Sequence, residues 1–359
     1  MSSLPSTPAS TSAQESLHDV RLSQLDSWLA SLNLVDTSSR RPASADASFR
    51  RYFRFDVLPD LRAKLGDTLI AMDAPPEREN VPAFIHVDGL LFDAGLTVPA
   101  IVARDVDRGY LLLSDLGTTT YLQRLDSDNA SFMYSDAVDA LISMQLASAP
   151  DVLPEFDRAF VLRELNIFPE WFVAKHLGVT MTPAQQATLD KVFEIITSNV
   201  LAQQQVFMHR DFHSRNLMWL DEGTLNNPGV LDFQDAVYGP VTYDLASLLR
   251  DAYIQWDEEF VLDWVVRYWQ SAKKVGLPVN PDIDAFYRDF EFMALQRHLK
   301  ILGIFCRLNY RDGKPHYLAD LPTVLDYVRK TCNRYIELKP LVRLLDAFEN
   351  VTPQVGYTF

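Results

Sequence analysis

The sequence predicts an α+β fold in two lobes, a small five-stranded antiparallel sheet followed by a larger, mainly helical part. Three observations carry this. Short apolar runs bounded by turn residues are concentrated between Ser44 and Leu113, whereas beyond Leu113 apolar residues recur mostly at helical spacing. Between Val206 and Asp235, three strand-length apolar runs separate polar residues able to do chemistry. The segments follow as residues 1–15, a disordered tail; 16–113, a first lobe with a leading helix; and 114–359, a helical second lobe.

Taken in order, Ser16 to Leu34 places Leu22, Leu25, Leu29 and Leu32 at helical spacing beside Trp28. From Ser44 to Val57 the chain reads ASADASFRRYFRFDV, a hairpin whose turn is ASADAS and whose second strand carries Phe49, Arg51, Phe53 and Phe55. Thr68–Met72 is a third strand. A helix is expected from Asn80 to Ala94, with Phe84, Val87 and Leu91 inward and Gly95 past its end. Val98–Ala103 and Tyr110–Leu113 complete five strands. Beyond them Phe132–Leu146 and Phe160–Leu177 read as helices. Thr182-Pro183-Ala184-Gln185 starts another, with an N-cap, a proline in the first turn and a reach-back glutamine. The later segments Thr242–Tyr253, Glu258–Val275, Pro281–Phe305 and Val324–Phe348 are all helix-like.

Composition narrows the function. Lys and Arg number 33 against 48 Asp and Glu, a net charge of −15, which argues against nucleic acid or an anionic membrane as partner. Two cysteines, Cys306 and Cys332, make no disulfide framework and read as reduced core residues. No apolar run approaches the ~20 residues of a membrane span. The opening MSSLPSTPASTSAQ lacks the basic start and apolar stretch of a signal peptide, so a cytoplasmic protein is expected; a monomer is expected as well.

The chemistry concentrates in VFMHRDFHSRNLMWL and GVLDFQDA. His209, Asp211 and Asn216 follow H-x-D-x-x-x-x-N, and Asp232 follows the apolar pair Val230-Leu231. Phosphoryl transfer needs this set: one Asp accepts the proton of the attacking hydroxyl, while an Asn and a second Asp hold a metal on the phosphates. Asp211 is therefore the candidate base, with Asn216 and Asp232 the candidate Mg²⁺ ligands, hard oxygen donors that suit the ion. His209 reads as structural. Asp244, in TYDLASLL, is accounted for as an acidic helix N-cap. Asp235 points equally well to substrate or metal.

These motifs, with SFRRYFR, AMDAPPE, LLLSDLG, DFQDAVYGPVTYDLASLLRDAY and LQRHLKILGIFCRLNYRDGKPHYL, resemble the aminoglycoside-phosphotransferase and choline-kinase superfamily of small-molecule kinases. Within it, the chain is similar to the bacterial anomeric sugar kinases of N-acetylmuramate and N-acetylglucosamine. The resemblance runs from Val20 to about Arg343. It implies a bilobal protein-kinase-like fold, ATP and Mg²⁺ as cofactors, phosphorylation of a sugar at C1, and a role in cell-wall recycling. It places a hinge that meets adenine at Leu113–Gly117, so Leu113 and Asp115 are nucleotide candidates.

The nucleotide side departs from the usual pattern. No glycine-rich loop precedes the second strand, only ASADAS, whose Ser44 and Ser48 are candidates to cover phosphates. The third strand, TLIAMDAP, lacks the family's lysine. Arg50, Arg51 and Arg54 are the candidate substitutes, with Arg51 on the opposite face from the other two, where it reads equally as a packed structural arginine. For an acidic acceptor the candidate cations are Arg215, Arg250, Arg297 and Arg307, with Arg215 and Arg250 nearest the motifs; Trp171, Tyr243 and Trp256 are possible sugar walls. An aminoglycoside or other amino alcohol would instead need carboxylates, which Glu164, Glu170, Asp251 and WDEEF offer. A nucleotide-binding pseudokinase is the rival outside catalysis.

Overall fold

In a computed structural model, residues 10–44, 49–220 and 226–349 are described. Helix α1 (Ser10–Leu32) reaches back into the Ser- and Thr-rich stretch before Ser16. That stretch holds no Gly or Pro after Pro8, so nothing in it breaks a helix. The strands are β1 (Val35–Ser44), β2 (Arg51–Val57), β3 (Thr68–Asp73), β4 (Ile101–Asp105) and β5 (Tyr110–Ser114), with a short α2 (Arg62–Leu65) before β3 and α3 (Val81–Asp93) after it. They form one antiparallel sheet in the order β1-β2-β3-β5-β4, the five-stranded sheet expected. Leu25, Trp28 and Leu29 of α1 are buried with Phe55, Val57, Leu69, Tyr110 and Leu112. The alternation of β2 thus turns Phe55 and Val57 to the α1 face.

The chain divides into two compact units, Met1–His86 with Pro99–Leu116, and Val87–Val98 with Gly117–Phe359. The second unit contains α4 (Tyr121–Arg124), α5 (Ala130–Leu146), α6 (Arg158–Leu165), a π-helical segment Phe168–His176 and α7 (Pro183–Ala202). Its strands are β6 (Gln205–Met208), β7 (Leu217–Met218), β8 (Gly229–Val230) and β9 (Val237–Pro240). Then come α8 (Tyr243–Leu249), α9 (Glu258–Val275), α10 (Ile283–Tyr310), α11 (Leu321–Arg334) and α12 (Lys339–Phe348). The cap at Thr182 forms as expected: Gln185 N–H donates to Thr182 Oγ1 at 3.2 Å, and Thr182 N–H to Gln185 Oε1 at 2.9 Å.

Three expectations need correction. Val324–Phe348 is two helices, because Pro340 in its middle lacks the N–H a continuous helix requires and instead starts α12. The strand expected over Val230–Phe233 stops at Val230, since Asp232 has φ +63° and leaves the ladder. Strand β9 was not anticipated: its Gly-Pro reads locally as a turn, yet Met208↔Val237 through Gln205↔Pro240 pair antiparallel.

Helix α10 runs through the core of this unit, with Phe292, Met293, Leu295, Leu299, Leu302 and Cys306 buried on it. Both cysteines are free and buried. At Gly303 a Cβ would lie 2.4 Å from the Ile167 carbonyl oxygen, a backbone atom that cannot yield. Gly303→Ala is expected to destabilise the protein by roughly 1–3 kcal/mol, the usual range for forcing atoms into a filled core, read as a lower urea midpoint. An unchanged midpoint would show that α10 can move away.

Candidate active site

Strand β6 delivers the chain to His209, where the backbone leaves the sheet; Arg210 has φ +80°. A non-glycine residue there is held by its surroundings. The holder is Asp244 at the start of α8, 1% exposed, whose carboxylate accepts from the backbone N–H of His209 at 2.7 Å and of Arg210 at 2.9 Å. The helix N-cap expected of Asp244 from sequence is therefore corrected: the cap position is Thr242, and Asp244 lies in the first turn. It ties the turn before Asp211 to α8. Burial pushes its pKa up to about 7 against the pull of those two N–H groups.

His209 is fully buried, and its Nδ1 accepts from the Asp211 backbone N–H at 3.2 Å, which puts the proton of the neutral ring on Nε2. Burial lowers its pKa to about 4. Asn216 donates through Nδ2 to the Asp211 carbonyl at 3.0 Å and to Asp232 Oδ2 at 3.4 Å, so base loop and metal candidates form one hydrogen-bonded group. Leu231 N–H donates to the Asn216 carbonyl at 3.0 Å, and Gln234 Nε2 to Asp232 Oδ1 at 2.8 Å. Asp232 and Asn216 present one carboxylate and one amide, a donor set suited to Mg²⁺ completed by phosphate oxygens. Among the described residues there is no cluster of three His, Cys, Asp or Glu side chains of the kind that would hold a metal alone.

Asp211 sits in a cationic field. Burial by itself would raise its pKa, but the field of the cations around it, Lys300, Arg210 and Arg297, outweighs that and holds it at about 2. Lys300 and Arg210 are set by Glu164, whose Oε1 takes Lys300 Nζ at 2.8 Å and Arg210 Nη2 at 2.7 Å; Oε2 accepts from Gln296 at 3.1 Å. Lys300 also donates to the Tyr243 hydroxyl at 3.1 Å. Arg210 and Lys300 were not singled out from sequence. Arg210 stands inside the motif, but Lys300 carries no local signal. On the far side of the loop, Ser214 N–H donates to Asp251 Oδ2 at 3.0 Å.

The remaining candidates are distributed as follows. Arg215 lies over the Tyr253 ring at 3.6 Å. Arg250 is 5% exposed, pairs with Glu258 at 2.7 Å and lies over Tyr327. Asp235 is exposed, and its backbone carbonyl accepts from Arg210 at 3.3 Å. Tyr243 is fully buried in the core, and Trp256 Nε1 donates to the Tyr134 hydroxyl at 2.7 Å. In the first unit, Arg51 pairs with buried Asp73, which Arg21 of α1 also holds, while Arg54 Nη2 donates to Asp115 at 2.9 Å and Arg50 lies 3.6 Å from Glu79. Arg51 is thus on the α1 face, opposite Arg54, as alternation requires. Leu113 is buried within the sheet, and Asp115 also accepts from Thr68. Ser44 ends β1, whereas Ser48 lies outside the described residues.

Three histidines buried among the described residues set a pH dependence. His209, lowered to about 4, His298, lowered to about 3, and His213, also lowered, exclude a proton that the unfolded chain binds from about pH 6.5 downward. The unfolded state then binds more protons, so stability is lost as pH falls. Asp244 works in the opposite sense below pH 7, because its folded pKa is raised. Between pH 7.5 and 5, His209 alone is expected to remove about 2 kcal/mol. Urea titrations at the two pH values check this: His209→Gln should lose less on acidification than the unsubstituted protein.

Known proteins resemble this chain in sequence and in fold. The phosphotransferase enzyme family matches residues 39–275. An N-acetylmuramate/N-acetylglucosamine kinase of Pseudomonas putida is 45% identical over 338 residues, covering 91% of this chain and 96% of the relative. One of Neisseria meningitidis is also 45% identical, over 94% of this chain and 98% of its own length. Among solved structures, ADP-bound aminoglycoside phosphotransferase APH(2'')-Ib superposes with a TM-score of 0.55 at 14% identity, covering 86% and 98% of the two chains. Choline kinase from Cryptosporidium parvum does so at 0.58 and 12%, covering 91% and 99%. These share the two-part α+β fold. With the family model matched over residues 39–275 and relatives 45% identical over more than nine-tenths of the chain, the chain belongs to the phosphotransferase enzyme family.

Proposed function

We propose that the chain is a monomeric, ATP- and Mg²⁺-dependent kinase that phosphorylates the anomeric hydroxyl of N-acetylmuramate or N-acetylglucosamine, in cytoplasmic recycling of cell-wall sugars. The observation that carries this reading is the common name of relatives 45% identical over more than nine-tenths of the chain, joined to the hydrogen-bonded set Asp211, Asn216 and Asp232.

In this reading Asp211, ionised throughout the neutral range, accepts the hydrogen bond of the sugar hydroxyl and aims its oxygen at the γ-phosphorus. Lys300 and Arg210 keep that carboxylate charged, and Asp244 holds the turn that presents it. Asn216 and Asp232 would hold Mg²⁺, which when bound neutralises charge on the phosphates. An aminoglycoside acceptor is disfavoured because two carboxylates it would need are engaged: Glu164 by Arg210 and Lys300, Asp251 by Ser214.

The test is incubation of the protein with ATP, Mg²⁺ and each sugar. An acid-labile sugar 1-phosphate is expected. No product from either sugar, with ADP released on an amino alcohol instead, would overturn the assignment.

A further inference from the structure

We infer that Arg307 is a specificity-determining residue that recognises a carboxylate on the acceptor sugar, an inference that rests on the amino-sugar kinase reading. A cavity of about 520 Å³ opens in the second unit, within the size range of small-molecule sites. Phe160, Ile167 and Ile304 give it an apolar side suited to a sugar ring and an acetyl methyl. Arg210, which immediately precedes Asp211 in the chain, and Lys300 also line it.

Its charge balance is uneven. Arg163, Arg210, Lys300 and Arg307 face Glu164 and Glu170. Glu164 already takes both Arg210 and Lys300, and the Arg163 guanidinium lies over the Phe160 ring at 4.3 Å. Arg307 is different. None of the ion pairs among the described residues includes it, and its Nε is shut off from solvent without a hydrogen-bond partner. A guanidinium that lines the cavity outside any of these ion pairs is open to an acceptor that enters, and a carboxylate is the acceptor that matches it in charge and shape.

N-acetylmuramate carries such a group on its lactyl ether, and N-acetylglucosamine does not. The two sugars are otherwise alike, so Arg307 would act on one and leave the other. The net positive lining also repels a polycationic acceptor.

The experiment measures kcat/KM for both sugars with the unsubstituted protein, Arg307→Ala and Arg307→Lys. Arg307→Ala should lower the value for N-acetylmuramate about 10- to 100-fold, mainly through KM, and change that for N-acetylglucosamine no more than about twofold. Arg307→Lys should fall between, keeping the charge and losing the fork. Equal losses for the two sugars, or an unchanged value for N-acetylmuramate, would overturn the role. Activity on N-acetylglucosamine also reports that each variant is folded. An unsubstituted protein that phosphorylates only N-acetylglucosamine overturns the role of Arg307 but not the kinase reading; one that phosphorylates neither overturns both.

Discussion

Asp211→Asn is expected to reduce turnover by about 10²- to 10⁴-fold, the range for loss of a positioned proton acceptor. The amide is nearly isosteric, and the fold contacts of this residue are made by its backbone: its N–H to His209 Nδ1 and its carbonyl to Asn216. The loop should therefore keep its shape. What disappears is a carboxylate that Lys300, Arg210 and Arg297 hold ionised and ready to take a proton. Steady-state ADP release with saturating sugar reads the loss, and nucleotide affinity by titration should be preserved. A variant retaining more than a tenth of normal turnover would remove Asp211 from the role of base.

Glu164→Ala should have the largest effect on stability, about 3–5 kcal/mol, because it leaves two buried cations without their counter-charge. Glu164 is 4% exposed and is the shared partner of Arg210 and Lys300. Burial opposes its charge, but Lys300 and Arg210 keep its pKa below the ordinary carboxylate range. Without it Lys300 would lose the favourable partner that holds its own pKa up. A lower urea midpoint is the measurement. Replacing both Glu164 and Lys300 with Met should recover part of the loss, since a hydrophobic pair leaves fewer buried charges unpaired. If the double variant is less stable than Glu164→Ala, the cluster does not act as a charge balance. Turnover in Glu164→Ala should fall as well, because Arg210 immediately precedes Asp211 and its orientation would relax.

Much of the fold was legible along the chain. Period-2 and helical patterns located the five strands of the sheet and most helices, and α9 has the same ends in sequence and structure, Glu258–Val275, bounded by Asp257 as cap and Gly276 beyond. These signals are local: a cap, a turn or an apolar stripe acts within a few residues. The misses were of two kinds. Pro340 breaks a stripe that otherwise continues through Val324–Phe348, and β9 looks like a turn until β6 pairs with it from about thirty residues away.

The sequence by itself determined the family, the two-part α+β architecture, and the order of the candidate residues Asp211, Asn216 and Asp232 behind His209, because that order and spacing are a local pattern. The tertiary structure decided how each charge is matched. It joined Glu164 to Lys300 across 136 positions, assigned Asp244 to the turn before Asp211 rather than to a helix cap, and gave Arg51 to Asp73. Ion pairs form between side chains that folding brings together, and their energies depend on burial as much as on identity. No local pattern in a sequence records that.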